Sequence, residues 1–332
     1  MSVMIYGDIS PRTAAFAVAK MLKRAIPNLV LEKFGQVYVL PMNSTKVATF
    51  RRYNSLAAAT TPLVEGVTPV GSKLVPTDYT ATLQQFGDFV PISDVVLDTH
   101  EDPILMQTVG ILGEQAALTV ETIRFNVLKA GTNVYYASKV ANRAAVTNAP
   151  VLADQRRITR GFQRQNARPI TQIVKSTPDF NTESTEPGYI GLTHPDLVND
   201  VRAMTGFINM KDYGSSMKAY ENEIGAVDDV RYIRSTVFSA WLAAGVVTGA
   251  TGLVSADATN IDVYPILYLT ADAYGIVPLK GQTALTPMVV NPKASASDPL
   301  GQRGSVAWKT MQTAVILNEL WMARLECGAT DI

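Results

Sequence analysis

The chain has 332 residues and a mass of 35.9 kDa, the length of about two domains at roughly 150 residues each and far beyond a small disulfide-stapled module. Lys plus Arg and Asp plus Glu number 29 each, so the net charge is zero, and charged residues make up 17% against a usual share of about 25%. That balance argues against charge-driven nucleic-acid binding, which needs clustered Lys and Arg; with 47% hydrophobic residues it describes copies that repel one another little and associate readily.

At the start, the apolar run Ala14 to Ala19 is too short for a secretory signal and is followed by Lys20, Lys23 and Arg24. It predicts a short helix capped by Ser10, with Pro11 in the first turn and Pro27 closing it. From Val37 to Val90, strand-like stretches alternate with Pro41, Pro62, Gly66, Pro69, Gly71 and Pro76. Tyr79, Ala81 and Leu83 alternate with Thr80, Thr82 and Gln84, the pattern of a half-exposed strand. Lys46 to Tyr53 alternates poorly, with Arg51 and Arg52 between Phe50 and Tyr53. The pair predicts a long hairpin with a mobile tip around Ala57 to Gly71, too polar and too broken to bury both faces within one subunit.

Asp102 followed by Pro103 is a helix start, and Gly131 predicts a left-handed stop after Ala130. Leu105, Val109, Leu112, Ala116, Val120, Ile123 and Val127 recur at steps of three and four, one apolar stripe on a helix of about 42 Å at 1.5 Å per residue. Gly110 and Gly113 weaken its first half by about 1 kcal/mol each relative to Ala. A second helix is expected from Asp154 to Ala167, stopped by Pro169, with Arg156, Arg160, Arg164 and Arg168 at steps of four and Arg157 beside them. That basic stripe suits a solvated face, a surface for acidic groups on another subunit, or a nucleic-acid contact, because Arg forks match carboxylate and phosphate alike.

Residues 170–188 begin as a strand and end as a polar connection, after which Thr193, His194 and Pro195 open a helix with Leu197, Val198, Val201 and Met204 on one face. Asp229 to Arg234 and Tyr264 to Thr270 read as buried strands, and Asp298 to Gly304 as a turn. Ser235 to Ala256 lacks charge and is long enough to span a bilayer, with Gly245, Gly249 and Gly252 inside it. Its Ser, Thr and Gly content favours a buried helix passing into a Gly-rich loop over a membrane span. The closing run Ser305 to Cys327 ends with Trp321, Ala323, Leu325 and Cys327 alternating with Met322, Arg324 and Glu326.

Motifs that carry catalysis are missing. Neither GxxxxGK[ST] nor GxGxxG occurs, so no phosphate cradle is predicted. His100 and His194 are the two histidines, outside any HExxH or Cys/His cluster, and His194 reads as a helix N-terminal residue. Ser215 and Lys218 match SxxK without its SDN and KTG partners. The carboxylate pairs Asp228 with Asp229 and Glu221 with Glu223 read as solvated charge at a turn. Cys327 stands alone, so it forms no internal disulfide and reads as an inert core residue. No cofactor or metal is predicted.

The order of short arm, long two-stranded excursion, long helix, mixed domain and returning strand resembles the Hong Kong 97-type fold of tailed-phage major capsid proteins. The blocks Glu223 to Arg231, Tyr264 to Leu267, Asp272 to Gly275 with Val277 to Leu279, and Asp298 to Lys309 are similar to the enquatrovirus-type coat protein family, as are Val315 to Glu326 and Phe50 to Tyr53 through Pro62. The resemblance spans residues 40 to 328. It implies an α+β fold with an N-terminal arm (1–44), an extended hairpin loop (45–98), a peripheral domain (99–188) carrying the spine helix (102–130), an axial domain (189–300) and returning strands (301–332).

By the same resemblance the chain is a non-enzymatic shell subunit of a tailed double-stranded DNA phage, assembling as hexamers and pentamers in the bacterial cytoplasm and residing in the virion. Its partners are further copies of itself, the portal, scaffolding or decoration proteins, and packaged DNA by weak contact; no membrane is involved. Arg51, Arg52 and Tyr53 of the loop and Arg156, Arg160, Arg164 and Arg168 become candidates for contacts between subunits, with apolar burial supplying most of the affinity. Only some 40 residues precede the hairpin, so a fused scaffolding segment is not expected, and no crosslinking lysine is singled out. An encapsulin-like compartment shell is the alternative. Any expansion of the particle is expected to bend the spine near Gly110 and Gly113.

Overall fold

The computed structural model describes residues 29–95, 104–170, 187–212, 220, 222–249, 252–279, 286–294 and 299–331. The expected N-terminal helix, the Asp102–Pro103 start, His100, Ser215, Lys218 and Glu221 lie outside the described residues. In chain order the strands are β1 (Gln36–Val37), β2 (Val47–Tyr53), β3 (Pro76–Thr82), β4 (Gln84–Ser93), β5 (Val134–Tyr136), β6 (Tyr189–Thr193), β7 (Phe207–Asn209), β8 (Glu223–Val227), β9 (Val230–Arg234), β10 (Tyr264–Leu269), β11 (Tyr274–Pro278), β12 (Thr286–Val290), β13 (Arg303–Ile316) and β14 (Met322–Cys327). The α-helices among the described residues are α1 (Ile104–Lys129), α2 (Leu152–Arg164) and α3 (Val198–Ala203).

A seven-stranded sheet runs β5-β14-β10-β6-β9-β8-β7. Its interior strand β10, Tyr-Pro-Ile-Leu-Tyr-Leu, is buried at every position, because both faces of the sheet are covered. The period of two divides its side chains between two cores. Tyr264, Ile266 and Tyr268 join Ala323, Leu325 and Cys327 of β14 under Ile158 and Phe162 of α2 and Val198 and Val201 of α3. Leu267 and Leu269 join Ile190, Leu192 and Ile233 under Phe125 and Leu128 of α1 and Phe238. In the first core the Tyr232 hydroxyl donates to Gln155 Oε1 at 2.8 Å and lies 2.9 Å from the Tyr268 hydroxyl, while Gln155 Nε2 donates to the Val227 carbonyl. Tyr232→Phe is therefore expected to cost about 1–2 kcal/mol, since it strands a buried acceptor; urea unfolding of the purified subunit reads it directly.

The second sheet is built on β13. Along Arg303–Gln312 it pairs antiparallel with all of β4 down to Gln84. Its other edge takes β12 at Ser305–Lys309 and β11 at Gln312–Ile316, and β1 pairs parallel with β11. The first half of α1 lies on this sheet, with Val109, Leu112, Ala116, Ala117 and Val120 against Ile92, Val306 and Trp308. The expected stripe holds as far as Val120, and then the buried face rotates. Glu121, Arg124, Phe125 and Leu128 are buried instead of Ile123 and Val127, because the helix passes from one sheet to the other and its inner face is set by what it meets.

Four expectations are corrected. Ser235 to Ala256 forms no helix: among its described residues Trp241 bridges Val263, Val247 bridges Asn260, and Leu253 bridges Thr330. Left-handed Ala243, Gly249 and Gly252 break any helical path, and a Cβ at Gly245 would sit 2.5 Å from Ile261 Cγ1, so the segment lies flat on residues 260–263. No helix among the described residues is long and apolar enough to cross a membrane. Gly131 is not left-handed; it ends α1 with its N–H on the Leu128 carbonyl at 3.1 Å and is small because Met322 crosses it, 2.5 Å from where a Cβ would stand. The run Ser305 to Cys327 is two strands split by a 3-10 turn at Glu319–Trp321, where the Asn318 side chain accepts from the Leu320 N–H. Within β14 both alternating sets are buried, since the strand is interior to a sheet covered on both sides. Glu223 is likewise buried rather than solvated, paired with Arg231 at 3.1 Å.

Candidate assembly surface

β2 and β3 form the expected hairpin, in register from Val47↔Thr82 to Tyr53↔Pro76. Alternation resolves the ambiguous first strand. Ala48, Phe50 and Arg52 pair with Ala81, Tyr79 and Thr77 on the inner face, where Ala48, Ala81 and Phe50 meet Leu40, Leu83 and Val277. The Arg52 guanidinium lies 5.7 Å from the Tyr79 ring centroid. Arg51 is on the outer face and grips its cross-strand neighbour Asp78 through two bonds of 2.7 and 2.8 Å, which hold the Asp78 carboxyl below the usual range. Tyr53 is exposed. The hairpin packs closely on β11 at Gly275 as well: a Cβ there would lie 2.8 Å from Phe50 Cζ. Gly275→Val is expected to lift Phe50 and to destabilise the hairpin base by about 1–3 kcal/mol, as overpacking does, measured as lost hydrogen-exchange protection at Phe50 and Ala81.

Beyond Tyr53 the hairpin has no regular structure from residue 54 to 75. Leu56, Leu63, Val64, Val67, Val70, Leu74 and Val75 are all exposed there, Val70 at 98% and Leu63 at 79%. Seven aliphatic side chains thus stand in water on one excursion, which makes the tip less polar than expected and a candidate interaction surface.

The arginine stripe is shorter than expected. α2 ends at Arg164, because Asn166 is left-handed and the Gln165 N–H turns back to the Gly161 and Phe162 carbonyls. Arg168 therefore lies off the helix, its carbonyl accepting from the Ala271 N–H. Arg156 is bound within the chain to Asp228 at 2.7 Å, and Arg157 donates to the Tyr136 carbonyl. Arg160, Arg164 and Arg168 are exposed. The hairpin set rests on the five-stranded sheet and the stripe on the seven-stranded one, so one chain does not bring them to a common site.

Two shallow grooves flank β4, of about 470 Å³ between Val90–Ser93 and Gln302–Gly304, and about 400 Å³ between Gln85–Phe89 and Ala307–Lys309. Neither gathers an acid, a base and a nucleophile. Among the described residues no group of His, Cys, Asp and Glu could hold a metal. His194 caps the turn Pro195–Leu197 as expected, its Nδ1 accepting from the Asp196 N–H; burial lowers its pKa, keeping it neutral. Cys327 is buried in β14, and burial pushes its thiol up, the inert core residue predicted. The sequence reading missed the buried pair Arg324 and Glu326 and the half-buried Arg143 and Trp241 packed on it. Its one signal was a pair of charges inside an apolar strand.

No family model matches the chain and no curated protein matches it. Solved structures do. The capsid of Ralstonia phage GP4 superposes with a TM-score of 0.65 at 12% identity, covering 90% of this chain and 87% of that one. The cyanophage Pam1 capsid gives 0.59 at 12% identity over 100% and 95%, and the cyanophage P-SCSP1u capsid 0.58 at 16% over 91% and 88%. At such identities the likeness speaks to fold: this chain has the α+β Hong Kong 97-type fold that the sequence resemblance implied.

Proposed function

We propose that this chain is the major capsid protein of a tailed double-stranded DNA bacteriophage, a non-enzymatic subunit that assembles as hexamers and pentamers into an icosahedral head. The observation that carries the reading is the uncovered apolar hairpin, residues 54–75, on a fold shared end to end with phage capsid chains. A lone copy leaves this surface wet; a neighbouring copy removes it from water, and at about 25 cal/mol per Å² that burial drives association. Arm (1–44), loop (45–98), peripheral (99–188), axial (189–300) and returning (301–332) segments are the domain division we assign.

Arg51, Arg52 and Tyr53 and the exposed Arg160, Arg164 and Arg168 are then contacts that fix the register of neighbours, not the main source of affinity. Arg51 and Arg156 reach a neighbour only by sharing or leaving Asp78 and Asp228. Portal, scaffolding or decoration proteins and weakly held DNA are the further partners; the subunit is made in the bacterial cytoplasm and ends in the virion. Electron microscopy of the purified protein tests this: closed shells with five- and six-fold capsomers are expected. A monodisperse 36 kDa monomer at high concentration overturns the reading, and shells that carry a co-purifying enzyme favour a compartment.

A further inference from the structure

The segment Val30–Phe34 meets α1 at a polar joint with unusually many open valences. Glu121 is wholly buried, and its Oε1 accepts the Val30 and Leu31 N–H groups at 3.0 and 2.8 Å. Its Oε2 has no partner, and neither do Arg124 Nε and Gln312 Nε2. Arg124 Nη2 donates to Gln312 Oε1 at 3.0 Å, and its Nη1 is 3.6 Å from Glu32 Oε2. The Tyr274 hydroxyl donates to the Leu31 carbonyl. One carboxylate thus holds the N–H side of the turn and one phenol the carbonyl side.

Among the described residues, the buried Glu121 on α1 faces one guanidinium, Arg124, which also lies near Glu32 on the turn; Gln312 of β13 is neutral, Tyr274 of β11 is a buried phenol, and Lys33 is exposed on the same turn. A buried carboxylate short of counter-charge is relieved by a proton more readily than by strain. We propose that seating residues 30–34 on α1 takes up a proton at Glu121, making this joint a latch that tightens as pH falls below neutrality. Lifting the segment would return Glu121 to water, where it ionises freely.

Burial, opposed by the Leu31 and Val30 N–H bonds and Arg124, pushes the folded-state pKa of Glu121 up to about 7. A carboxyl raised in this way contributes its full stabilisation below its ordinary range, and that contribution is lost as pH rises through about 7. Leu31 and the edge-on contact of Phe34 with Tyr220 do not titrate in this range, so the joint loosens while the subunit stays folded.

Hydrogen exchange at the Val30 and Leu31 amides tests this, normalised to intrinsic rates and referred to Leu267 of β10. Their protection is expected to fall about sevenfold between pH 5 and pH 6, close to the tenfold limit for one proton, and to level off above pH 7. Glu121→Gln keeps an acceptor but cannot ionise, so it should abolish the slope. Glu32→Gln, at an exposed site, removes a neighbouring negative charge and should move the midpoint to lower pH. Protection in the wild type that is independent of pH overturns the latch, as does an equal slope in Glu121→Gln. Should Glu121→Gln not fold, an unmoved midpoint in Glu32→Gln overturns it alone.

Discussion

A subunit in which residues 55–74 are replaced by Asn-Gly is expected to fold and to form no shells. The Asn54 N–H already bonds the Val75 carbonyl at 3.0 Å, one step beyond the Tyr53↔Pro76 end of the β2–β3 ladder, so a two-residue turn of the type that suits strand twist closes the hairpin without disturbing its register. The deleted stretch lends nothing to the cores: its exposed aliphatic residues belong to none of the buried clusters. Chemical unfolding should therefore stay within about 1 kcal/mol of the wild type, the range for changes away from packed sites. Association should collapse, because the exposed aliphatic side chains of the excursion from Leu56 to Leu74 are gone. Sedimentation gives the first readout and electron microscopy the second. Shells of normal size from the shortened chain would remove the main support for the proposed function.

The second large effect falls on Glu326. This carboxylate is 0% exposed and receives Arg143 through two bonds of 2.7 and 2.8 Å and Arg324 Nε at 2.9 Å. Arg324 also donates to the Lys129 and Gly131 carbonyls at the end of α1. Above them the Trp241 ring takes Arg143 at 3.7 Å, Lys129 at 4.1 Å and Arg324 at 5.4 Å. Three cations around one indole are tolerable only with Glu326 beneath them. Glu326→Ala leaves two guanidinium groups without their buried partner, a loss of roughly 3–5 kcal/mol against a total stability of about 5–15 kcal/mol. Much of the protein is expected to be insoluble on expression, with the soluble remainder melting far below the wild type. Glu326→Gln retains one acceptor and should fall between the two. Lys129, whose pKa is already lowered by burial and by Arg143 and Arg324, loses the one group that raises it.

Much of the local structure was legible in the residues. The α1 stripe predicted its first half, the alternation of Tyr79, Ala81 and Leu83 predicted β3, and the apolar runs of β9 and β10 predicted buried strands, because each signal repeats within a few residues. The irregular tip announced itself through proline and glycine spacing. Less legible were elements whose environment comes from far along the chain. β14 shows the alternation of a half-wet strand yet is dry on both faces, with Arg143 reaching Glu326 from 183 residues away. Ser235 to Ala256 carries the composition of a buried helix, but its described residues run through turns that bridge Val263, Asn260 and Thr330 at single points.

What the sequence by itself determined is the set of elements and their order: a hairpin too broken at its tip to be buried by one subunit, a long helix, and strands whose joint pattern resembles a capsid chain. The tertiary structure alone decided which face of each element is inner. α1 crosses from one sheet to the other, so its buried face turns and takes in Glu121 and Arg124. The stripe of arginines is cut by a left-handed Asn166 and by Asp228 holding Arg156. Periodicity is a local property of the chain, whereas burial and charge pairing depend on which distant segment arrives, and that is fixed only when the two sheets close around the helix.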